Sequence, residues 1–464
     1  MSERYKGLLN LKVLRNFIVI FMIFATTVLL RIPFTSEIVP NIDQLEYLML
    51  SKNISENCAF SFELNPPFHP TIYRGPLYPA FISIVRFLTS DQLVNIVYFQ
   101  ILLQGLCSII IFMLLKSRVR LAFAIGAAFV FAICPGLIIW TRSIHSETLY
   151  TFMLILSIFV FDKAIQSKNY SMMCFCGILL GLSILCRSNG LFLIPPFLIT
   201  ICHFMTNRFT WCRIFILGLI MALAPWTIRN YRVSDKISLS PTSGALAFYI
   251  PTYFMVPGDD YIKFFAEATD PDLVRLVHSN SLRDFAENRE NLYIKSNQLK
   301  GLHPYCRLYS AKTPQEYLSA NRELTQKGFQ NIKNDPMGYI VSRLKVFPTL
   351  FLNSNDDLVM KRESYKSLFS QKRYFKLGLK LSLLFVTSLL PILLSFLAFL
   401  YCRNEPLVYL TFFSLIFTLT LHFPLFIEYR YWVPMTSFLV ISSFIFLDKN
   451  FLKSDVVVKR SSIQ

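Results

Sequence analysis

The sequence predicts an all-α polytopic membrane protein: a bundle of about ten transmembrane helices carrying an exofacial, mainly helical soluble insertion. Two observations lead there. Of the 464 residues 54% are hydrophobic and 15% aromatic, and the mean hydropathy is +0.48, values that soluble domains do not reach. The apolar residues also gather into runs of about 20, the length at which a helix crosses the hydrocarbon core.

The runs fall near residues 14–33, 92–115, 121–140, 147–163, 171–186, 190–206, 212–226, 376–401, 406–426 and 432–447. Residues 76–88 are too few to span, so that stretch is expected to lie in the interface or re-enter. Three parts follow: an N-terminal membrane module, 1–226, with a large first loop at 34–91; a soluble insertion, 227–375; and a closing membrane part, 376–464. Within the insertion, 270–286 and 314–333 read as amphipathic helices.

Positive residues in short loops set the orientation. With Met1 cytoplasmic, the inner face collects Arg4, Lys6, Lys12, Arg15, Lys116, Arg118, Arg120, Lys163, Lys168, Arg208, Arg213, Arg403, Lys449, Lys453, Lys459 and Arg460, against Arg142, Arg187 and Arg430 outside. Ten spans then leave both termini cytoplasmic and the insertion exofacial. The net charge of +18 is scattered over tails and loops, which suits anionic membrane lipid and not nucleic acid. Residues 16–33 form a full-length span without a small-residue cleavage site, so no cleavable signal peptide is expected. Most of the ten cysteines lie in apolar runs as small hydrophobes, and their spacing makes no metal-ligand pattern. Cys58 and Cys306 fall in exofacial segments, but a disulfide between them is not expected.

The candidate site residues share one membrane face. Asp43 and Glu46, three apart, lie on one side of a helix with Tyr47 adjacent; Leu45, Leu48, Met49 and Leu50 suit an amphipathic helix on the bilayer surface. For an isolated pair of acids an ordinary solvated turn is the better explanation; their place directly after the first span, among other polar interfacial residues, shifts the balance towards a site. Glu147 opens the fourth span, where Ser146 would cap the helix and the acid would favour its N-terminal dipole. His145 is a loop histidine with a weak claim to ligand status. Arg74, Arg187, Arg229 and Arg430 all stand at exofacial ends of hydrophobic elements. Each alone reads as a snorkelling residue. Four with two acids instead point to an anionic group held at headgroup depth, since guanidinium binds phosphate through paired, charge-assisted hydrogen bonds. Asn189 and Asn230 stand beside two of these arginines as further donors.

Asp43-x-x-Glu46-Tyr47, Arg74-Gly-Pro-Leu-Tyr78-Pro79, Ser146-Glu147, Arg187-Ser-Asn189, Pro225-Trp226-x-x-Arg229-Asn230-Tyr231 and Glu428-x-Arg430-Tyr431, in this order and topology, resemble the GT-C membrane glycosyltransferases. The nearest branch is the protein O-mannosyltransferase-like one, which includes the bacterial aminoarabinose transferases. The resemblance covers most of 14–231 and the last spans, but not 232–375. That family often has an Asp-Glu pair in its first loop; here Gln44 follows Asp43, and Glu46 is the next acid.

The resemblance implies a GT-C-like bundle in a bacterial or archaeal plasma membrane. It implies an enzyme moving a sugar, with inversion, from a polyprenyl-phosphate carrier to an exofacial lipid, glycan or protein hydroxyl. Asp43 would be the general base. Arg74, Arg187, Arg229 and Arg430 would stabilise the leaving phosphate. Glu46, Tyr47, Tyr78, Asn189 and Asn230 would help bind substrate. Glu147 would position the acceptor or help hold a divalent cation, the one cofactor the pattern leaves room for. Competing readings are a lipid or sugar transporter or flippase, a polysaccharide polymerase or ligase, and a non-catalytic assembly protein that has kept the fold. A transporter should show midplane charges and repeated halves, and neither stands out.

Overall fold

A computed structural model describes residues 3–32, 40–238, 244–253, 271–298, 304–352, 365–425, 427 and 429–461. The described residues are helical with connecting loops. The N-terminal part holds α1 (Glu3–Leu29), α2 (Ile42–Asn57), α3 (Leu77–Leu88), α4 (Leu93–Lys116), α5 (Leu121–Ala132), α6 (Pro135–Arg142), α7 (Glu147–Ser167), α8 (Tyr170–Cys186), α9 (Ile194–Phe204) and α10 (Arg208–Ser234). The middle holds α11 (Gly244–Tyr253), α12 (Pro271–Val277), α13 (Leu282–Gln298), α14 (Pro304–Ser310), α15 (Pro314–Asn334) and α16 (Pro336–Val346). Closing the chain are α17 (Tyr374–Cys402), which includes a π-helical turn at Phe385–Leu389, then α18 (Pro406–His422) and α19 (Met435–Ser461).

Each of the ten expected runs falls mostly in helix among the described residues, and the protein is an integral membrane protein. Four described helices, α4, α7, α10 and α17, are long and apolar enough to cross a bilayer as single elements. The span expected at 121–140 is broken: α5 and α6 meet at a 49° bend. Pro135 explains the break, because it begins α6 and cannot donate back to the preceding turn. The stretch at 190–206 begins as a 3-10 segment, Ser188–Leu193, before α9. The helix expected to end at 226 runs on through Arg229 and Asn230 to Ser234.

Glycine sets the closest helix contact. A Cβ at Gly177 of α8 would run into the backbone of Phe215, and one at Gly218 of α10 into that of Cys174, so α8 and α10 touch main chain to main chain.

Two cores result. One fills the membrane bundle, from Ile23 to Ile445. The second joins the first loop to the insertion: Leu45, Met49, Leu50, Phe62, Ile72 and Tyr73 pack with Leu273, Leu276, Phe285, Leu292, Tyr305, Tyr317 and Leu324. This corrects the reading of α2 as a surface helix. Gln44 through Ser51 are all buried, because bundle and insertion clasp the helix from both sides. By contrast α3 keeps an exposed apolar edge, Ile84, Phe87 and Leu88, as an interfacial helix would. The stretch at 270–286 is two helices, parted after Val277. Cys58 is exposed and Cys306 buried, with no disulfide between them.

Candidate active site

The site is built where α2 begins. Asn41 caps the helix by accepting from the Gln44 N–H, and the Gln44 side chain accepts from the Asn41 N–H in return. This reciprocal cap fixes the first turn and with it Asp43. Gln44, standing where the resembled family often has an acid, therefore has a structural job. Its Oε1 serves the cap, so its Nε2 faces His145 Nδ1 at 3.2 Å and donates to it. His145 then carries its ring proton on Nε2. Burial lowers its pKa to about 4 against the upward pull of Glu147 and Asp43, so the ring is neutral near pH 7.

Asp43 and Glu46 do share a face, and Arg74 binds both. Its Nη2 lies 2.5 Å from Asp43 Oδ1 and its Nε donates to Glu46 Oε2 at 2.6 Å. The guanidinium is held over the rings of Tyr47 and Tyr73, 5.1 and 4.8 Å from their centroids. Arg430, from the short 3-10 turn Tyr429–Tyr431, reaches the other oxygen of Asp43, with Nη1 3.0 Å from Oδ2. Two arginines thus grip one carboxylate.

The two acids differ sharply as a result. Burial pushes Asp43 upward, but Arg74 and Arg430, with His145, outweigh it and hold the carboxyl well below the usual carboxylate range. For Glu46 burial dominates: Arg74 only partly offsets it, the Asp43 charge adds to it, and the pKa rises to about 7.

A second pair stands beside the first. Arg187 Nη1 lies 2.6 Å from Glu147 Oε1 and also donates to Ser146 Oγ at 3.1 Å, while Ser146 Oγ is 3.3 Å from the Tyr47 hydroxyl. Ser146 makes no side-chain cap on α7, which overturns the capping expectation; its hydroxyl bridges Tyr47 and Arg187 instead. Glu147 is 1% exposed, and apart from the ion pair neither of its oxygens has a well-aligned hydrogen bond. Arg187 and Arg430 both lie against the ring of Tyr431, at 5.6 and 5.4 Å from its centroid, which links the two pairs.

Not every predicted residue joins this cluster. Tyr78 is fully buried against Tyr47 and donates to Gln100 at 2.7 Å; Gln100 in turn donates to the carbonyls of Thr141 and Ser143. Tyr78 therefore braces the loop that carries His145 and Ser146. Asn189 meets His422 at 3.2 Å, close to Tyr431. Arg229 donates to the Thr71 carbonyl at 2.6 Å and stacks on Trp226 and Phe60, while Asn230 reaches the Ser238 carbonyl. These two hold the return of the first loop and make no contact with Asp43 or Glu147. Glu428 lies outside the described residues. Reasoning from sequence passed over Gln100, for which a glutamine inside an apolar span was the available signal.

Among the described residues no group of three or more His, Cys, Asp or Glu side chains converges as a metal site. Asp43, Glu46 and Glu147 are each engaged by a guanidinium, so their donor atoms do not fit a dedicated cation cage. What the arrangement gathers is three arginines, Arg74, Arg187 and Arg430, paired with three carboxylates, Asp43, Glu46 and Glu147, of which Glu46 and Glu147 are buried.

Residues 69–228 match the family described as dolichyl-phosphate-mannose-protein mannosyltransferase. The match bears out the resemblance to GT-C membrane glycosyltransferases over a stretch that includes Arg74, Tyr78, Glu147 and Arg187; Asp43, Glu46 and Arg430 lie outside it. No curated protein matches the chain. Among solved structures, the archaeal oligosaccharyltransferase AglB from Archaeoglobus fulgidus, in complex with an inhibitory peptide and a dolichol-phosphate, is 13% identical, with 98% of this chain and 52% of that one covered and a TM-score of 0.47. ArnT from Cupriavidus metallidurans bound to undecaprenyl phosphate is 10% identical, over 96% of this chain and 79% of that one, with a TM-score of 0.38. The chain spans about half the length of the archaeal enzyme.

Proposed function

We propose that this chain is an inverting glycosyltransferase that moves a sugar from a polyprenyl-phosphate carrier to a hydroxyl presented at the exofacial side of a plasma membrane. The observation that carries the reading is the double grip of Arg74 and Arg430 on Asp43, with Arg187 and Glu147 alongside. The family match over 69–228 supports the carrier chemistry.

The reaction replaces the bond between the anomeric carbon and the carrier's phosphate oxygen by a bond to the acceptor oxygen, on the opposite face of the sugar. The phosphate leaves with the electron pair, and the acceptor's proton must go to a base. Fixed guanidinium groups lower the cost of the charge gathering on the leaving phosphate. Arg430 and Arg187 are our candidates for that contact, with Arg74 and Asn189 at its margins, while Arg229 braces the first loop instead.

Asp43 is the proposed base, and its two arginines make it a conditional one. While both hold it, its affinity for a proton is too low for the task. An arriving phosphate that draws Arg430 to itself removes one of those charges and raises that affinity. Base and leaving-group site would then become competent together, once the carrier is bound. Glu147 positions Arg187 and the acceptor; Glu46 and Tyr47 hold Arg74.

In this reading residues 1–226 are the catalytic module, 227–375 the exofacial insertion that selects the acceptor, and 376–464 the closing helices, with both termini cytoplasmic. Apolar grooves between spans would hold the isoprenoid. The test is mass spectrometry of envelope lipids, glycans and proteins from cells with the gene, without it, and complemented by Asp43→Asn. A glycan lost on deletion and restored by wild type but not by the variant supports the proposal. An envelope unchanged by deletion contradicts it.

A further inference from the structure

The insertion carries an apolar stripe that the fold leaves uncovered. On α16, Met337, Ile340, Val341 and Leu344 are 66, 43, 42 and 60% exposed. At helical spacing these four fall within about 100° of arc, the width of an apolar helix face. The opposite face, Tyr339, Ser342 and Arg343, is buried against the protein. A soluble domain does not leave such a stripe facing water without a partner.

Its attachment says what the partner is. The Tyr339 hydroxyl donates to the Pro424 carbonyl at 2.8 Å, and Arg343 Nη1 donates to the Leu425 carbonyl at 3.3 Å. Both carbonyls immediately follow α18, an apolar helix of the bundle. The segment after α16 is also tied in, with Phe347 5.5 Å from Phe423 and packed on the bundle core. The buried face of α16 is thus anchored at the end of a bundle helix, which sets the stripe near the level where the bundle's own apolar surface ends. Exposed Lys333 and Lys345 flank it, the arrangement that suits anionic headgroups.

We infer that α16 is a membrane-interface helix whose Met337–Ile340–Val341–Leu344 face is buried in the outer leaflet, so that the insertion is docked on lipid. This rests on the membrane fold and not on the proposed reaction. It has a consequence for the site, because Phe351 packs 5.8 Å from Trp432, two residues beyond Arg430. Seating α16 in the leaflet sets the depth of the segment that delivers Arg430 to Asp43.

The test uses the full chain in nanodiscs of mixed neutral and anionic phospholipid, with exposed Cys58 and Cys202 changed to serine. Spin labels are placed singly by Met337→Cys, Ile340→Cys and Leu344→Cys. Phe17→Cys on α1 is the lipid control, and Arg322→Cys on α15 the water control; both sites are exposed. The expected result is that all three α16 labels collide with oxygen in preference to a water-soluble nickel chelate, as the Phe17 label does. Labels that follow the Arg322 control would overturn the inference, since the stripe would then face water. Labels immobilised and shielded from both reagents would overturn it too, by showing a protein partner or a second copy on that face.

Discussion

Arg430 Nη1 lies 3.0 Å from Asp43 Oδ2, joining residues 387 apart in sequence. The contact closes the chain on itself: the turn before the last helix completes a site begun just after the first. If Arg430 also receives the carrier's phosphate, Arg430→Ala should cut transfer about 10²–10³-fold, the scale of losing one preorganised donor to a developing oxyanion. Arg430→Lys should recover part of it, because a lysine restores charge without the planar fork. Initial rates across carrier concentration check this, with the loss expected in kcat as well as KM.

Glu46 gives the stability a pH dependence with a definite sign. Its pKa is about 7 in the folded chain against an ordinary 4.5, so between those values the folded state holds a proton that the unfolded state has lost. Stability from this group is therefore complete below pH 4.5 and is lost as pH rises towards 7. Wild type should lose melting temperature relative to Glu46→Gln between pH 5 and 7.5. A difference that stays flat over that range would place the Glu46 pKa elsewhere.

Glu147 and Arg187 form a buried pair, 1 and 14% exposed at the side chain. Removing one partner strands a charge, so Glu147→Gln should cost about 3–5 kcal/mol. The double variant Glu147→Gln/Arg187→Met should cost less than the two single changes added together. Thermal denaturation of the four proteins in one detergent measures that coupling, and additive losses would mean the two groups do not interact.

Gly218 lets α8 and α10 touch. Glycine to alanine in an open helix stabilises by about 1 kcal/mol, yet Gly218→Ala should lower the melting temperature because its Cβ meets the Cys174 backbone. Gly378→Ala, whose Cβ would meet nothing within 4 Å, should leave it unchanged or raise it.

Much of this architecture was readable in the sequence. Apolar runs mark helices because a bilayer accepts little else, and each of the ten runs falls mostly in helix among the described residues. The shared face of Asp43 and Glu46 followed from helical spacing alone. Partnership was not readable. That Arg74 serves both acids, that Arg430 and not Arg229 reaches Asp43, and that Ser146 bridges Tyr47 and Arg187 depend on which helix ends meet in space. The burial of α2 was hidden for the same reason: part of its cover comes from insertion helices such as Leu282–Gln298, more than 200 residues later. The bend between α5 and α6 had a local signal in Pro135, inside a run whose hydropathy alone reads as one straight span.

Asp43 is the group proposed to take the acceptor's proton during transfer from a carrier phosphate. The direct measurement is release of free polyprenyl phosphate by wild type and Asp43→Asn in nanodiscs, using the sugar and acceptor that the envelope comparison identifies, with carrier binding measured in parallel. The variant should still bind the carrier but release phosphate about 10²–10⁴-fold more slowly, the range for loss of a general base. Release by Asp43→Asn at the wild-type rate would contradict that role.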